Sequence, residues 1–554
     1  MVRRLVLWGL IAFCLPGMAL SDDEKSPEVT PDVSEALHLY ATGNFAAAAQ
    51  KYGAILAKQP GLVAAQAGLV RSLLRQEKVA GAFTAATSAL TKQSNSAVLL
   101  AVMGEVEFRR GEIHEAEVNF VKALKFDKHE LSAYIGLARL YDQLCYYRHA
   151  GDALNVAHQL APDNPEVQKL WFARLPTSER ITAMEAYLAK EHPDDPEETK
   201  YLQETLQYLR TVSQQPVHAC RLVSKIDSTQ IKLEPPPAGG HDPSDVLYLR
   251  RDDNKKTHYD VAVKLNDRKS RLRLDTGASG ILLDRKAAEK AGLQKIADIR
   301  IGGIGDRGSQ GGFTAVAKHI QIGELEFEDC EVAVAEKLHA LMDEDGLLGT
   351  DIFGSYLVDI DMPNQKLRLS PLPKRPDEPA APITLSSTED RSATQTQPPR
   401  ANGQQPSSLP KDRYVAPEMA SWLPILRSGH LLFIPTRVND SKPMLFIIDT
   451  GSEENSLSLT AAKEVSNLIP DLSHQETRGL SGAVERTYRA KAELQVGNLA
   501  YNIPNLITTF DLSGLSKSSG IEISGFLGFD LLSELDTKVD YRDCLVDFTY
   551  NRKR

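Results

Sequence analysis

Past Pro216 one pattern occurs twice, and any fold of this chain must accommodate both copies. The first copy runs Leu272-Arg-Leu-Asp275-Thr276-Gly277-Ala278, then Ile281-Leu282-Leu283; the second runs Phe446-Ile-Ile-Asp449-Thr450-Gly451-Ser452, then Leu457-Ser458-Leu459. Further on, Leu347-Leu348-Gly349-Thr350-Asp351 answers Phe526-Leu527-Gly528-Phe529-Asp530. A hairpin is expected after each, Val358 to Leu369 and Lys538 to Phe548, and Gly349 to Asp361 spans the same interval as Gly528 to Asp540. Short alternating segments such as Tyr259–Leu265 and Arg271–Leu274 read as strands, and a second strand-rich region begins near Leu431. The unit is therefore a duplicated β-rich half.

Each copy ends an apolar strand in Asp-Thr-Gly. Glycine lets the backbone bend where a side chain would clash, which leaves an aspartate at the tip beside a hydroxyl. Alone, such an aspartate is an ordinary turn carboxylate bonded to its own backbone. Two that face each other differ, because like charges at close range cannot both ionise and one carboxyl keeps its proton. Such a pair can hold a water, with one member as base and the other polarising a carbonyl.

Asp-Thr-Gly-Ala, a later Gly-rich segment, an apolar-apolar-Gly-x-Asp element and a hairpin resemble the retropepsin-like aspartic protease half domain. That resemblance implies a pseudo-dimer within one chain, with Asp275 and Asp449 catalytic and Thr276 and Thr450 bracing the two turns. Gly277, Gly451, Gly349 and Gly528 would support them. It also implies hairpin flaps at Gly303 and Gly305 in the first half and at Gly479 and Gly482 in the second, the second flap being shorter. Gly303-Ile-Gly305-Asp-Arg-Gly308 fits the string of a dinucleotide site, but Ser309-Gln-Gly-Gly is a poor helix start and the string needs a helix after it. Glu453 and Glu454 follow the second turn and would raise the pair's pKa if they faced it. Between the halves, Ser370 to Asp412 is rich in Pro, Gln, Ser and Thr, a disordered linker by composition with a reach of about 35 Å. That length permits pairing within one chain and also permits pairing between chains.

The N-terminal part repeats with a period of 34. Ala48, Ala82, Ala116 and Ala150 hold it, as do Ile55, Ala89, Ala123 and Ala157, and Ala36, Val70, Gly104 and Ala138. Small residues at fixed places let the two helices of a hairpin approach closely. This pattern resembles the tetratricopeptide repeat (TPR) over about four units, with a weaker helical continuation through Leu209. Stacked hairpins of that kind form a curved surface suited to a peptide or partner protein.

The chain has 554 residues and a formal net charge of −10, a balance that argues against nucleic acid, whose phosphates need a positive surface. Arg3 and Arg4 precede an apolar run from Leu5 to Leu20 broken by Pro16 and Gly17, the layout of a secretory signal peptide with cleavage near Ser21. The expected destination is the bacterial periplasm, and no other stretch is long enough to span a bilayer. Cys145, Cys220, Cys330 and Cys544 could form two disulfides, but their spacing does not fix the pairing. No CxxC, HExxH or Cys/His cluster supports a metal, and no cofactor is expected. His218 and Cys220 are neighbours in sequence, which is not catalytic geometry.

The expected architecture is multidomain: an all-α TPR solenoid followed by two all-β retropepsin-like (acid protease) barrels. The expected divisions are a signal peptide (1–21), helical repeats (30–175), a helical extension (176–215), a first half domain (216–372), a linker (373–412) and a second half domain (413–554). The expected function is an exported aspartic endopeptidase whose repeats recruit a protein partner or the polypeptide substrate. The alternative is a non-catalytic protein-binding scaffold on the same folds.

Overall fold

The structure is a computed structural model. It describes residues 31–190, 195–215, 218, 220–236, 257–303, 310–338, 341, 344–376, 411–471, 478–479, 482–483, 487–503 and 506–550. The signal-peptide segment, most of the linker and Gly305 lie outside the described residues.

Four helical hairpins open the fold: α1 (Pro31–Ala41) with α2 (Phe45–Lys58), α3 (Val63–Arg75) with α4 (Val79–Lys92), α5 (Ala97–Arg109) with α6 (Ile113–Phe126), and α7 (Leu131–Gln143) with α8 (Tyr147–Leu160). They are followed by α9 (Pro165–Phe172), α10 (Thr177–Leu188) and α11 (Pro196–Ser213). The small residues of the 34-residue register are the buried seams: Ala48, Ala82, Ala116 and Ala150 are at most 2% exposed. Gly104 and Gly136 clasp the Phe120 ring, and a Cβ on Gly104 would sit 2.7 Å from it. The first helices of successive hairpins (α1, α3, α5, α7) pack on one another more than the second helices do, so they form the inner side of the curve.

The first β-rich half contains β1 (Arg221–Leu222), β2 (Thr229–Lys232), β3 (Asp260–Leu265), β4 (Arg268–Asp275), β5 (Ile281–Asp284), helix α12 (Arg285–Lys290), β6 (Gln294–Ile301), β7 (Gln310–Ile322), β8 (Leu325–Ala335), β9 (Gly346–Gly349), β10 (Tyr356–Asp361) and β11 (Lys366–Pro371). Asn266 and Asp267, both at positive φ, make the two-residue turn between β3 and β4. The main sheet is ordered β1-β8-β5-β9-β4-β3-β7-β6.

The second half contains β12 (Leu423–Pro424), β13 (Leu426–Ser428), β14 (Leu431–Val438), β15 (Met444–Ile448), β16 (Ser456–Ser458), α13 (Leu459–Val465), β17 (Ile469–Pro470), β18 (Arg478–Gly479), β19 (Gly482–Ala483), β20 (Tyr488–Ala490), β21 (Glu493–Val496), β22 (Leu499–Asn502), β23 (Ile507–Phe510), α14 (Ser513–Ser519), β24 (Gly525–Leu527), α15 (Phe529–Leu532), β25 (Leu535–Asp540) and β26 (Leu545–Tyr550). The region thus starts some residues before Leu431, because β12 and β13 pair with β26 and β14 respectively.

The two halves share one sheet, ordered β12-β26-β25-β10-β11-β2, in which β10 of the first half runs antiparallel to β25 of the second. A continuous apolar core runs beneath both halves, through Leu274, Ile360, Ile448 and Val539. A second core joins the repeats to the second half, with Phe108, Leu137 and Phe120 packed with Phe433, Leu445, Ile447 and Phe526. Disulfides pair Cys145 with Cys544, across that junction, and Cys220 with Cys330, within the first half. Beyond the linker the chain returns to the repeats: Asp412 accepts from the Arg148 amide at the start of α8 (2.8 Å), and the Arg413 amide donates to the Cys145 carbonyl (2.9 Å). Among the described residues no helix is long and apolar enough to cross a membrane.

Candidate active site

Both aspartates sit where parallel strands deliver them. In the first half β4 pairs in parallel with β9, which sets Asp275 opposite Gly349; in the second β15 pairs in parallel with β24, which sets Ile448 opposite Leu527. The Gly elements therefore lie beneath the Asp-Thr-Gly turns. A Cβ on Gly349 would come within 2.5 Å of the Ala278 carbonyl, so only glycine fits under that turn. The Gly349 amide donates to Gly280 (2.7 Å), whereas Gly528 donates to the Asn455 side chain (2.9 Å), so each turn is tied down differently.

The two turns are clasped through their threonines, both 1% exposed. Thr276 Oγ1 donates to the Ile448 carbonyl (2.7 Å) and accepts from the Thr450 amide (3.0 Å). Reciprocally, Thr450 Oγ1 donates to the Leu274 carbonyl (2.9 Å) and accepts from the Thr276 amide (3.0 Å). Four hydrogen bonds with twofold pseudo-symmetry thus link halves lying on one chain.

The clasp brings Asp275 and Asp449 within hydrogen-bonding reach of each other. The Gly277 amide donates to Asp275 Oδ1 (2.7 Å), and the Gly451 and Ser452 amides donate to Asp449 Oδ1 (2.9 and 3.1 Å). A Cβ on Gly277 would lie 2.9 Å from the Asp449 carboxyl carbon, and one on Gly451 would meet the Asp275 carboxyl. The glycines are thus needed for the close approach of the two carboxyls. Burial pushes both carboxyls up. Asp449 goes well above the usual range, because the charge of Asp275 adds to burial. At Asp275 the bonds from Asp449 and from the Gly277 amide pull against burial. The proton of the pair belongs to both carboxyls.

Further residues lie around the two turns. His430, 8% exposed, comes from the turn before β14 and bonds to the backbone of Gly277 in the other half. Burial pushes its imidazole down to about 4, so it is neutral across ordinary pH. Asp351 accepts from the Gly280 amide (2.9 Å). Burial pushes its carboxyl up to about 6. Tyr541, fully buried in the second half, bonds through its hydroxyl to Thr350 of the first. Only Asp351 could have been found, since it lies inside the duplicated Gly-x-Asp element. His430 precedes the repeated motif, and Tyr541, though inside the repeated hairpin, stands where the first half has Met362.

Strands lie on either side of both segments where the resemblance places flaps. β6 and β7 form a long hairpin from Gln294↔Val316 to Ile301↔Gln310, with Gly303 just past its described end. Among the described residues, its counterpart β18–β19 pairs Arg478↔Ala483 and Gly479↔Gly482. Glu454 does not turn onto the dyad: its carboxylate accepts from Thr508 (3.0 Å), beside Arg489. A cavity of about 510 Å³ lined by Leu423, Ile434, Arg437 and Gln495 lies on the outer strands of the second half and includes neither aspartate.

Behind β4, His258, Asp260 and Glu344 lie close enough to share a cation. Positive charge is already supplied there: Arg271 stands 3.0 Å from Asp260, and Arg273 stands 2.7 Å from Glu344. Burial would raise the Glu344 carboxyl, but His258 and Arg273 hold it well below the usual carboxylate range. The set reads as a closed ion-pair network, and the charge of Arg273 also favours an ionised Asp275.

The family model for aspartyl protease matches residues 261–352. No curated protein matches the chain. Among solved structures, the chain is similar to a thermophilic TPR protein of Thermus thermophilus, at 17% identity over 32% of this chain and 97% of that one, with a TM-score of 0.27. It is also similar to the aspartic proteinase of Irpex lacteus, at 11% identity over 58% of this chain and 97% of that one, with a TM-score of 0.32. The chain thus joins a helical-repeat region to β-rich halves, of which the segment 261–352 matches the aspartyl protease family.

Proposed function

We propose that this protein is an exported aspartic endopeptidase whose helical repeats recruit polypeptide, with export taking it to the bacterial periplasm. The carrying observation is the clasped pair of Asp-Thr-Gly turns, with both carboxyls buried against each other and their amide donors in place. In this reading Asp275 takes a proton from a bound water as that water attacks the scissile carbonyl, and Asp449 gives its proton to the carbonyl oxygen. The resulting diol collapses as one of its hydroxyls returns its proton to the pair and the amide nitrogen gains a proton from the pair; the C–N bond breaks, and one proton is left shared between the aspartates. The reaction consumes one water and needs no cofactor. Two disulfides among the described residues fit an oxidising compartment.

A scaffold without catalysis is the second reading, favoured by the different lengths and compositions of the two Gly-rich segments, Gly303 to Gly308 and Gly479 to Gly482. Cleavage of casein from acid to neutral pH separates the two. The mature protein is expected to cleave it, a statine-type inhibitor to block it, and Asp275→Asn and Asp449→Asn each to abolish it. A wild-type protein inert at every pH would overturn the protease reading in favour of the scaffold.

A further inference from the structure

The inner face of the repeats is not an open groove. Arg71, Glu105 and Arg139 recur one period apart on α3, α5 and α7, and mark that face. Arg71 binds Glu105 through two nitrogens (2.7 and 2.9 Å) and reaches Ser132 of α7 (2.8 Å), while Arg139 lies 3.5 Å from Glu166. At one end of this ladder Arg75, stacked 4.3 Å over Phe45, points at another part of the chain. It meets Asp195 at 2.9 Å and Glu198 at 3.0 Å, and Glu198 also pairs with Lys169. Gly43, in the turn of the first hairpin, lies so close that a Cβ there would stand 3.1 Å from the Asp195 carboxyl. The acidic turn Asp195-Pro-Glu-Glu198 thus touches the first hairpin, the second hairpin and α9 at once. Against burial, Lys169 and Arg75 hold the Glu198 carboxyl below its usual range.

That turn begins α11, whose Asp195 side chain accepts from the Glu197 amide at the helix start (3.0 Å). Eighteen residues later, about 27 Å along the axis, the helix ends against the flap strand of the first half. Leu202, Leu206 and Leu209 form one core with Ala297, Ile296 and Ile299 of β6. Tyr208 donates to Glu331 of β8 (3.1 Å), and Arg300 of β6 faces Glu204 at 3.9 Å. One rigid helix therefore has its first turn seated on basic residues of the repeats and its last turns packed under the strand that leads to the flap.

We propose that Asp195–Glu198 is a built-in occupant of the repeats, and that an acidic segment of a partner polypeptide replaces it on Arg75 and Lys169. Helix α11 carries the exchange to β6. The regulatory consequence, a change in proteolysis when the partner binds, rests on the protease reading above, but the exchange itself does not. Recruitment by the repeats is then competitive with the chain's own segment, and partner binding loosens the flap arm.

The test uses the mature chain and a synthetic peptide of residues 195–202, with an Asn/Gln-substituted peptide as control. Asp195→Asn with Glu198→Gln vacates the basic pair. This double variant is expected to bind the acidic peptide about tenfold more tightly than wild type does, since the internal competitor is gone. Deuterium exchange at residues 294–301 is expected to speed up about tenfold in the variant, and in wild type saturated with peptide, while β3 and β4 stay protected as the control for folding. Arg75→Gln with Lys169→Gln is expected to lose the peptide. Equal peptide affinity in wild type and the vacated variant, or unchanged exchange in β6, overturns the proposal. Neither readout needs catalysis, so inert protein that still shows both responses would sink the protease reading and leave this one standing.

Discussion

At the residue scale the site depends on two glycines and two threonines as much as on the aspartates. Thr276→Ala removes two buried hydrogen bonds and leaves the Ile448 carbonyl and the Thr450 amide unpaired, a loss of about 2–4 kcal/mol. Thr276→Ser keeps the oxygen and should recover most of that stability, which urea titration of the two variants would show. Gly277→Ala places a methyl 2.9 Å from the Asp449 carboxyl carbon, so the pair must separate. The expected result is a fall of about 100-fold in kcat/KM with the fold retained by circular dichroism. These residues were legible in the sequence because the duplication quotes them twice. His430, Asn455 and Tyr541 were not legible, because each is used by one half only and reaches the site through a contact between strands distant in sequence.

At the element scale the shared sheet gathers carboxyls from both halves, with Arg368 paired to Asp359 and Asp361. Strand β10 meets β25 with Asp361 directly opposite Asp536, and Asp359 bonds to Asp536 as well. Burial, and then Asp359, push Asp536 from its ordinary 3.8 up to about 7. At Asp536 the folded chain keeps a proton that the unfolded chain has lost, so this group's contribution to stability is fully present below about 4 and is lost as pH rises through the folded value. Asp351 and Asp540, each raised to about 6 chiefly by burial, act in the same direction. Asp536→Asn should therefore raise Tm by a few degrees at pH 8 and leave it nearly unchanged at pH 4. An equal shift at both values would assign the gain to packing. Individual hairpins were readable from alternation and turn residues, as β3–β4 shows. The pairing of β10 with β25 was not, since nothing local specifies which half a strand will join.

At the scale of the whole molecule the repeats are part of the body that carries the site. Their turns dock on the second half, the Cys145–Cys544 disulfide crosses that junction, and α11 links them to the first half. Replacing both Cys145 and Cys544 by serine opens a loop of 399 residues and should cost about 2–4 kcal/mol in thermal unfolding, without touching the clasp. The 34-residue period announced the hairpins, but not the disulfide pairing or the occupied inner face. Those depend on where the array rests against the halves, which periodicity does not encode.

If Asp275 and Asp449 of one chain form one catalytic pair, neither can be replaced from another chain. Casein cleavage tests this with Asp275→Asn, with Asp449→Asn, and with an equimolar mixture of the two after unfolding and refolding together. Wild type is expected to be active, each variant inert, and the mixture inert as well, because no chain then holds both carboxylates. Activity regained in the mixture, or kept by either variant alone, would contradict a pair built within one chain.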